Sequence, residues 1–562
     1  MLFVIVLLAS FLRLIHIDKI PPSVTGDELL YAVTAKSTYV TGHDISGTWN
    51  PLSVFLFRYP PGENQAELPY VIHLLFSGPF PFSLFLIKIP FVIQSIGIVL
   101  LLYGITKNLF GKPAGIAAGL VAAINPWLVV IGRTAYESTP ATFFYLLSLY
   151  TLLLFKSWKI LWCLVPLLLA FYSYIGTKLI FLPFTLIAIL SAYKTNGHRF
   201  KKIYVTLFTA CTIFVCIFIL LLSSSSGWSR ISEIMLPNSL IVSSEVDALR
   251  KSSIQTPILP ILVNRYTIYI QIITEKLFRI FSPSYLFIEG DQLFLPVKMG
   301  FFYMADIIFI FLGSLYLFTI NKQKFILLTL FILLGAFPHI FNKTLGDFSI
   351  HLSLMFPFII LLIGIGITHT IQGLSQKYKP IVMIIIVFIY SLGFGKFCIT
   401  YFFQYPLESA GDFPIRVLSH YISLTQKIHP SVILYTTTSN DILKKYLFYS
   451  NNMTGQSIPE IRQILLQNKQ IEFQNISFVS CDDTVKSIPK NNLIIYDVNC
   501  GMNITLPHIQ IVRLADAGGV FNIYNDALCS KYTLNPYPTG IKISDFNVEK
   551  QSVERFCTTY FK

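Results

Sequence analysis

The fold is decided by the stretch LFLIKIPFVIQSIGIVLLLYGIT, residues 84–106, in which Lys88 is the only charged side chain. A run of about 20 apolar residues is long enough to cross the hydrocarbon core of a bilayer as a helix. In lipid such a run must be helical, because only a helix satisfies its own backbone polar groups there. Similar runs recur along the chain, so we predict an all-α polytopic membrane bundle.

The composition agrees with a membrane protein. The 562-residue chain is 54% hydrophobic and only 12% charged. Soluble domains carry roughly 25% charged residues, so most of this surface is not expected to face water. The formal net charge is +14, but much of the excess lies in short loops. Because no basic stretch carries interleaved aromatic residues in a polar setting, nucleic acid is not an expected partner.

Charge in the short loops predicts the orientation. Lysine or arginine occurs without aspartate or glutamate in five of them: residues 107–112, 156–159, 194–202, 321–324 and 372–379. The positive-inside rule places all five in the cytoplasm, so neighbouring loops must be separated by an even number of spans. Eleven spans meet this condition: 1–17, 84–106, 113–131, 140–155, 160–175, 178–193, 203–222, 300–320, 325–341, 350–369 and 380–402.

This topology puts the N-terminus in the cytoplasm and the C-terminal part outside the plasma (inner) membrane. Residues 1–17 are interpreted as a retained first span, since no small-residue cleavage site follows them. The short apolar run 67–80 is assigned to the outer interface, because a span there would move the loop 107–112 outside.

Two domains are predicted. Residues 1–403 form the membrane module, with large outer loops at 18–83 and 223–299, and residues 404–562 form a small extracytoplasmic α/β domain. The second domain alternates polar helical stretches with β-rich runs, among them 432–437, 493–497 and 510–514. Its four cysteines permit two disulfides, the alternative being free thiols: Cys481, Cys500, Cys529 and Cys557.

Two adjacent carboxylates, Asp27 and Glu28, follow the first predicted span. Their structural interpretation is that they cap and electrostatically stabilise a helix starting near Leu29. Their functional interpretation is general-base chemistry, because a base that deprotonates an acceptor hydroxyl must lie at the membrane surface, where a lipid phosphate is held. The sequence leaves both open.

Other polar groups lie at predicted outer boundaries. Arg133 and Glu137 form either an ordinary i,i+4 pair or part of a polar cavity. Lys178 either snorkels alone or joins Tyr174 in a clamp for a lipid-linked phosphate. His351, beside a short outer loop, is either an interfacial residue or a catalyst.

Four motifs in this order resemble the GT-C superfamily of glycosyltransferases: the acidic pair 27–28, the loop 133–137, the segment 172–183 and the string Phe-Ser-Pro-x-x-Leu-Phe-x-x-Gly-Asp at 281–291. They look most similar to the protein mannosyltransferase and aminoarabinose-transferase-like group, which uses polyprenyl-phosphate sugars. The resemblance covers about residues 1–402. It implies a helical membrane bundle whose first outer loop bears interface helices.

The resemblance also implies an activity, namely inverting transfer of a hexosyl or pentosyl group from a polyprenyl-phosphate carrier to a hydroxyl of a protein, lipid or cell-wall glycan. Asp27 matches the usual candidate base and Glu28 a second acid. The other implied substrate-binding residues are Arg58, Arg133 and Lys178 for the phosphate, with Glu137, Tyr174 and His351. No cofactor is certain; metal dependence varies in the superfamily, so Mg²⁺ or Mn²⁺ stays open.

Two positions depart from the family pattern. Many relatives carry a basic residue or a double proline at the start of the interface helix, where this chain has Glu67. Many carry Arg or Tyr before the proline of a late span, where this chain has His351 ahead of Pro357. His351 could substitute only when protonated or as a neutral donor.

The sequence leaves two other functions open. A transporter or flippase for a lipid-linked sugar would be expected to show repeats and charges near the bilayer midplane, whereas the charges here lie at one predicted surface. An oligosaccharide polymerase or ligase that uses a diphosphate carrier would share the membrane context and differ in its donor.

Overall fold

The structure is a computed structural model that describes residues 1–45, 47, 66–197, 200–223, 239–291, 293–295, 299–342, 348–408, 412–467, 471–481, 492–501, 506–535 and 540–562. Helices predominate up to about residue 408. They are α1 (Leu2–Leu14), α2 (Gly26–Thr41), α3 (Glu67–Phe76), α4 (Leu84–Phe110), α5 (Lys112–Ile124), α6 (Pro126–Ile131), α7 (Ser138–Leu154), α8 (Leu164–Ser173), α9 (Ile175–Lys178), α10 (Phe181–Asn196) and α11 (Lys201–Ser223).

The second part of the bundle continues in the same way. Its helices are α12 (Ser239–Ser252), α13 (Leu259–Leu262), α14 (Arg265–Ile280), α15 (Asp306–Ile320), α16 (Lys322–Ile340), α17 (Met355–Gln372), α18 (Lys379–Cys398) and α19 (Tyr405–Glu408). A 3-10 segment, Ser157–Cys163, leads into α8, and a π-helical segment, Ile399–Gln404, joins α18 to α19.

Each predicted span contains helix, but the span count of eleven stays a prediction. Within the described residues, five helices are long and apolar enough to cross a membrane: α4, α11, α16, α17 and α18 continued to Glu408. The run 67–80 contains the ten-residue helix α3. At about 1.5 Å per residue it rises about 15 Å, half of what a crossing needs, which agrees with the predicted interface position.

Small residues let the bundle helices approach closely. A Cβ added to Gly366 of α17 would lie 2.0 Å from the carbonyl oxygen of Phe309 in α15. A Cβ on Gly313 of α15 would lie 2.3 Å from the carbonyl oxygen of Leu362. Both distances are far inside van der Waals contact, so the two backbones touch where neither helix has a side chain, as is common between membrane helices.

The C-terminal part is a small sheet domain. Its helices are α20 (Phe413–Thr425), α21 (Ser439–Tyr449), α22 (Ser457–Gln467) and α23 (Val553–Tyr560). Its strands are β1 (Val432–Thr436), β2 (Ile471–Phe473), β3 (Ile476–Ser480), β4 (Leu493–Asp497), β5 (Ile509–Val512) and β6 (Gly519–Tyr524). The strand order is β2-β3-β1-β4-β6-β5, with β1 parallel to β3 and β4 and the other pairs antiparallel.

All four cysteines of this domain are paired, Cys481 with Cys500 and Cys529 with Cys557. The domain therefore contains two disulfides, the number that its four cysteines permit. Each closes a loop of the sheet domain and restricts its unfolded chain.

The sheet domain shares its hydrophobic core with the first outer loop. Leu29 and Val33 of α2 and Ile87 of α4 belong to the same buried cluster as Leu418 and Leu443 of the C-terminal domain. Arg416 donates a 2.6 Å hydrogen bond to the carbonyl of Pro22. The predicted boundary at residue 403 therefore separates two units that pack directly against each other, with α2 of the first unit contributing to the shared core.

Candidate active site

Helix α2 starts with a capping box. Glu28 accepts hydrogen bonds from the backbone and hydroxyl of Thr25, at 2.9 and 3.0 Å. Its other carboxylate oxygen accepts a 2.6 Å hydrogen bond from the backbone of Ala135. Glu28 is buried, so it joins the start of α2 to the loop before α7. This geometry gives Glu28 the helix-capping role that the sequence left open, and it does not support the predicted catalytic role.

Asp27 differs from Glu28 in its exposure and in its hydrogen bonding. Its side chain is exposed, and no described residue donates a hydrogen bond to it. It lies in the first turn of α2, where backbone N–H groups and the helix dipole favour a negative charge. Surrounding protein atoms nevertheless raise the pKa of the Asp27 carboxyl by desolvation. The result is an accessible carboxylate with increased basicity.

Tyr31 lies four residues after Asp27, so both side chains share one face of α2. The Tyr31 hydroxyl donates a hydrogen bond to Glu137 and accepts one of 3.1 Å from the backbone of Ala66, just before α3. Burial, and then the nearby charge of Asp27, raise the pKa of Glu137 well above its ordinary value, with Lys178 opposing. Glu137 therefore lies within electrostatic reach of both Asp27 and Lys178.

Lys178 forms an ion pair with Glu67, the first residue of α3. The Glu67 side chain is almost fully buried, at 3% exposure, and that of Lys178 is 13% exposed. The ammonium group also lies over the rings of Phe171 and Phe218, 5.4 Å from each centroid. Glu67, the departure from the family pattern, is thus the partner of the predicted phosphate ligand.

Tyr174 and His351 are brought together by α9 and the 3-10 turn before α17. The Tyr174 hydroxyl hydrogen-bonds to Nδ1 of His351, and the two rings stack at 5.7 Å. The side-chain amide of Asn342 lies 2.7 Å from the other ring nitrogen. Both nitrogens of His351 therefore have protein partners, so His351 orients Tyr174 and is not placed as a direct phosphate ligand.

The Phe-Ser-Pro string at 281–291 contacts the turn that carries His351 and affects the pair of Tyr174 and His351 through that turn. Asp291, its last residue, accepts two 2.7 Å hydrogen bonds from the backbone and hydroxyl of Ser349. Ser349 opens the 3-10 turn that carries His351. The motif thus fixes the turn that holds His351, and its carboxylate is occupied in doing so.

Arg133 donates hydrogen bonds to backbone groups at the end of α1 and just after it. Its guanidinium is fully buried and donates to the carbonyls of Leu12, Ile15 and Ile20, at 2.7, 2.7 and 2.9 Å. These bonds hold the end of α1 and the chain after it against the loop before α7. The geometry does not support the predicted phosphate contact of Arg133, because several of its donors already serve backbone carbonyls.

Arg58, the remaining predicted phosphate ligand, lies outside the described residues. Within them, no group of three His, Cys, Asp or Glu side chains lies close enough to hold a metal ion. Mg²⁺ in phosphate-transfer sites often uses only one or two carboxylates with substrate phosphates. Dependence on Mg²⁺ or Mn²⁺ therefore stays open.

Three residues in contact with the predicted site residues were not themselves predicted. They are Tyr31, Glu67 as an ion-pair partner, and Asn342. Tyr31 could have been found from its i+4 spacing to Asp27. Glu67 and Asn342 carry no such signal. Glu67 lies more than a hundred residues from its partner Lys178, and Asn342 lies nine residues from its partner His351.

Known proteins resemble this chain in sequence over part of its length and in fold over most of it. Residues 68–222 match the family model for dolichyl-phosphate-mannose-protein mannosyltransferase. The crystal structure of ArnT from Cupriavidus metallidurans bound to undecaprenyl phosphate is similar over 94% of this chain and 98% of its own, with 13% identity and a TM-score of 0.51.

The archaeal oligosaccharyltransferase AglB from Archaeoglobus fulgidus, in complex with an inhibitory peptide and a dolichol-phosphate, aligns over 94% of this chain and 74% of its own, with 12% identity and a TM-score of 0.48. No curated protein sequence matches the chain significantly. The resemblance to GT-C glycosyltransferases is therefore confirmed, by the mannosyltransferase family model at residues 68–222 and by the fold shared with ArnT.

Proposed function

We propose that this protein is a membrane glycosyltransferase that moves a sugar from a polyprenyl-phosphate carrier to an acceptor hydroxyl on the extracytoplasmic side, with inversion. The observation that carries the proposal is the exposed Asp27 carboxylate near Glu137, which also lies within electrostatic reach of Lys178, at one end of the bundle. The relative ArnT was crystallised with undecaprenyl phosphate, which supports a lipid monophosphate as the carrier. The sugar and the acceptor are left open.

Asp27 acts as the general base in this proposal. It takes the proton of the acceptor hydroxyl while the acceptor oxygen forms a bond to the anomeric carbon. The bond from that carbon to the phosphate oxygen breaks on the opposite face, and the lipid phosphate leaves with the electron pair. A carboxylate whose pKa is raised by desolvation is a stronger base, which favours proton transfer from the acceptor hydroxyl.

Lys178 stabilises the leaving phosphate. An ammonium group has three N–H donors, so Lys178 can keep its ion pair with Glu67 and still donate to a phosphate oxygen. The buried carboxylate of Glu67 fixes the direction of the lysine side chain. A positive charge held in place beforehand stabilises the negative charge that develops on the phosphate during bond cleavage.

Glu137 and Tyr174 orient the substrates. Glu137 is held by the hydroxyl of Tyr31, and its high pKa favours the neutral acid beside ionised Asp27. A neutral carboxyl group can donate a hydrogen bond to a sugar or acceptor oxygen. Tyr174 is held by His351, so its ring position is fixed before substrate binds.

The test is a donor screen with purified protein in nanodiscs, read by mass spectrometry, followed by Asp27→Asn on the donor that reacts. Loss of a general base is expected to lower kcat by about 10²–10⁴-fold. Asp18→Asn is the matched control, since Asp18 is an exposed acid of the same loop outside the cluster. Full activity of Asp27→Asn, or no transfer from any lipid monophosphate, would refute the proposal.

A further inference from the structure

A cavity lined by both polar and apolar side chains lies in the bundle far from Asp27. Its volume is about 340 Å³, and a neighbouring cavity of about 310 Å³ adjoins it. Lys324 and Asn321 at the start of α16 line both cavities, as do Leu109 and Phe110 at the end of α4. Lys324 therefore borders two adjacent cavities, near the end of α4 and the start of α16.

Helix geometry places this cavity one bilayer thickness from the proposed transfer site. α16 begins at Lys322 beside the cavity and ends at Ile340, just before Asn342 of the site. Its 19 residues rise about 28 Å at about 1.5 Å per residue, against about 30 Å for a hydrocarbon core. α10 repeats the pattern, because it starts just after Lys178 and ends beyond Lys194 at the cavity.

The walls change from cationic to apolar with depth. The mouth carries Lys194, Asn321, Gln323 and Lys324, and no aspartate or glutamate lines either cavity within the described residues. Further along α16 and from the facing helices, the lining becomes Leu327, Leu328, Phe331, Phe358 and Leu361. From Lys324 to Phe331 the helix advances about 10 Å, so a charged group at the mouth and a hydrocarbon chain below it fit together.

Lys324 is directed at this boundary by its own contacts. Its ammonium group donates to the carbonyl of Leu109 in the last turn of α4 and lies 5.1 Å from the ring centroid of Phe110. One N–H of three is used by that carbonyl. The ammonium group is therefore held at the cavity with capacity for an anionic oxygen.

We propose that this cavity binds an anionic phospholipid from the leaflet opposite the transfer site, with its phosphate at Lys194 and Lys324 and an acyl chain along Leu328 and Phe331. The loops that form the mouth belong to the five basic loops predicted to be cytoplasmic. Lysines near a membrane surface each favour anionic lipid by about 1 kcal/mol. The proposal does not depend on sugar transfer, since none of these residues belongs to the cluster around Asp27.

The experiment measures bound lipid on the full-length protein by native mass spectrometry, with detergent-solubilised protein titrated with phosphatidylglycerol or phosphatidylcholine. The variants are Lys194→Gln, Lys324→Gln and the double substitution. Each is expected to raise the Kd for phosphatidylglycerol roughly fivefold, and the double variant roughly 30-fold. Lys322→Gln is the matched control. Lys322 belongs to the same predicted basic loop, 321–324, as Lys324, is exposed and lines neither cavity.

The outcomes separate lipid from free phosphate and from a purely structural lysine. Competition by glycerol phosphate at the phosphatidylglycerol Kd would overturn the lipid assignment, because the acyl chain would then contribute nothing. Equal effects of Lys322→Gln and Lys194→Gln would show general surface charge and would also overturn it. Lys194 is exposed, so its substitution tests the proposal even if Lys324→Gln disturbs the end of α4.

Discussion

The pair formed by Lys178 and Glu67 gives the sharpest test of the site. Lys178→Met removes the ammonium group while keeping an unbranched apolar side chain. The substitution leaves Glu67 as a buried carboxylate, at 3% exposure, without its partner. Removal of one partner from a buried ion pair costs about 3–5 kcal/mol of folding free energy. Lys178→Met alone would therefore lose activity for two reasons that must be separated.

The double variant Lys178→Met/Glu67→Gln separates them. A neutral amide in place of the carboxylate removes most of the cost of burying an unpaired charge, so stability is expected to recover. The lost contact to phosphate does not recover. A hydrogen bond to a charged group contributes about 1.5–3 kcal/mol, so donor affinity should fall about 10–150-fold in both variants.

The assay combines two measurements on the same preparations. Unfolding in detergent reports stability, and KM for the lipid-phosphate donor, with binding of undecaprenyl phosphate as a check, reports the phosphate contact. Glu67→Gln alone should bind the carrier at least as tightly as the natural protein, since Lys178 keeps its charge. Natural KM in the double variant would refute the role given to Lys178, and unchanged stability of Lys178→Met would refute the buried ion pair.

Three further predictions follow from other contacts. Because desolvation by the surrounding protein raises the pKa of the exposed Asp27 carboxyl, kcat/KM should fall as pH drops through a value above the ordinary Asp pKa of about 3.9. An acid limb below that value would contradict the assignment. Arg462 of α22 donates hydrogen bonds of 3.2 Å to the hydroxyl of Ser37 in α2 and 2.9 Å to the carbonyl of Asp44 after it. Because α2 carries Asp27 at its start, loss of these bonds in Arg462→Gln should lower kcat about tenfold. Arg513→Gln, an exposed control, should leave kcat unchanged. The Arg416 guanidinium holds the pKa of Glu549 below its ordinary value, against the effect of burial. The stability of the C-terminal domain, measured by denaturant unfolding, should therefore be full above the pKa that Glu549 has in the unfolded chain and decline as pH falls through its lower pKa in the folded protein. Glu549→Gln should remove that decline.

The C-terminal domain shows how far sequence patterns reach. The β-rich runs 432–437, 493–497 and 510–514 overlap β1, β4 and β5, because alternating and short apolar runs bounded by turn residues specify strands locally. The sheet order and its parallel pairs depend on which strands meet. Its shared core with α2 could not be predicted either, since Val33 and Leu443 lie about four hundred residues apart and nothing in either segment specifies the other.

The candidate site was predicted in part. Asp27, Glu137, Tyr174 and Lys178 lie at one end of the bundle, because each sits near the end of an apolar run, and run lengths fix which ends meet. The acidic pair resolved into two roles once packing was known. Glu28 turned inward to the capping box and Ala135, whereas Asp27 stayed exposed.

The sequence by itself determined that this is a helical membrane-type bundle with a small mixed domain, since the length of each apolar run and the period of each strand are local properties. Tertiary structure alone decided which charges are available. Arg133 was committed to three backbone carbonyls and Lys178 was paired with Glu67. The physical reason is that a buried charge takes whichever partner packing brings within hydrogen-bond distance, and that choice is made between segments far apart in the chain.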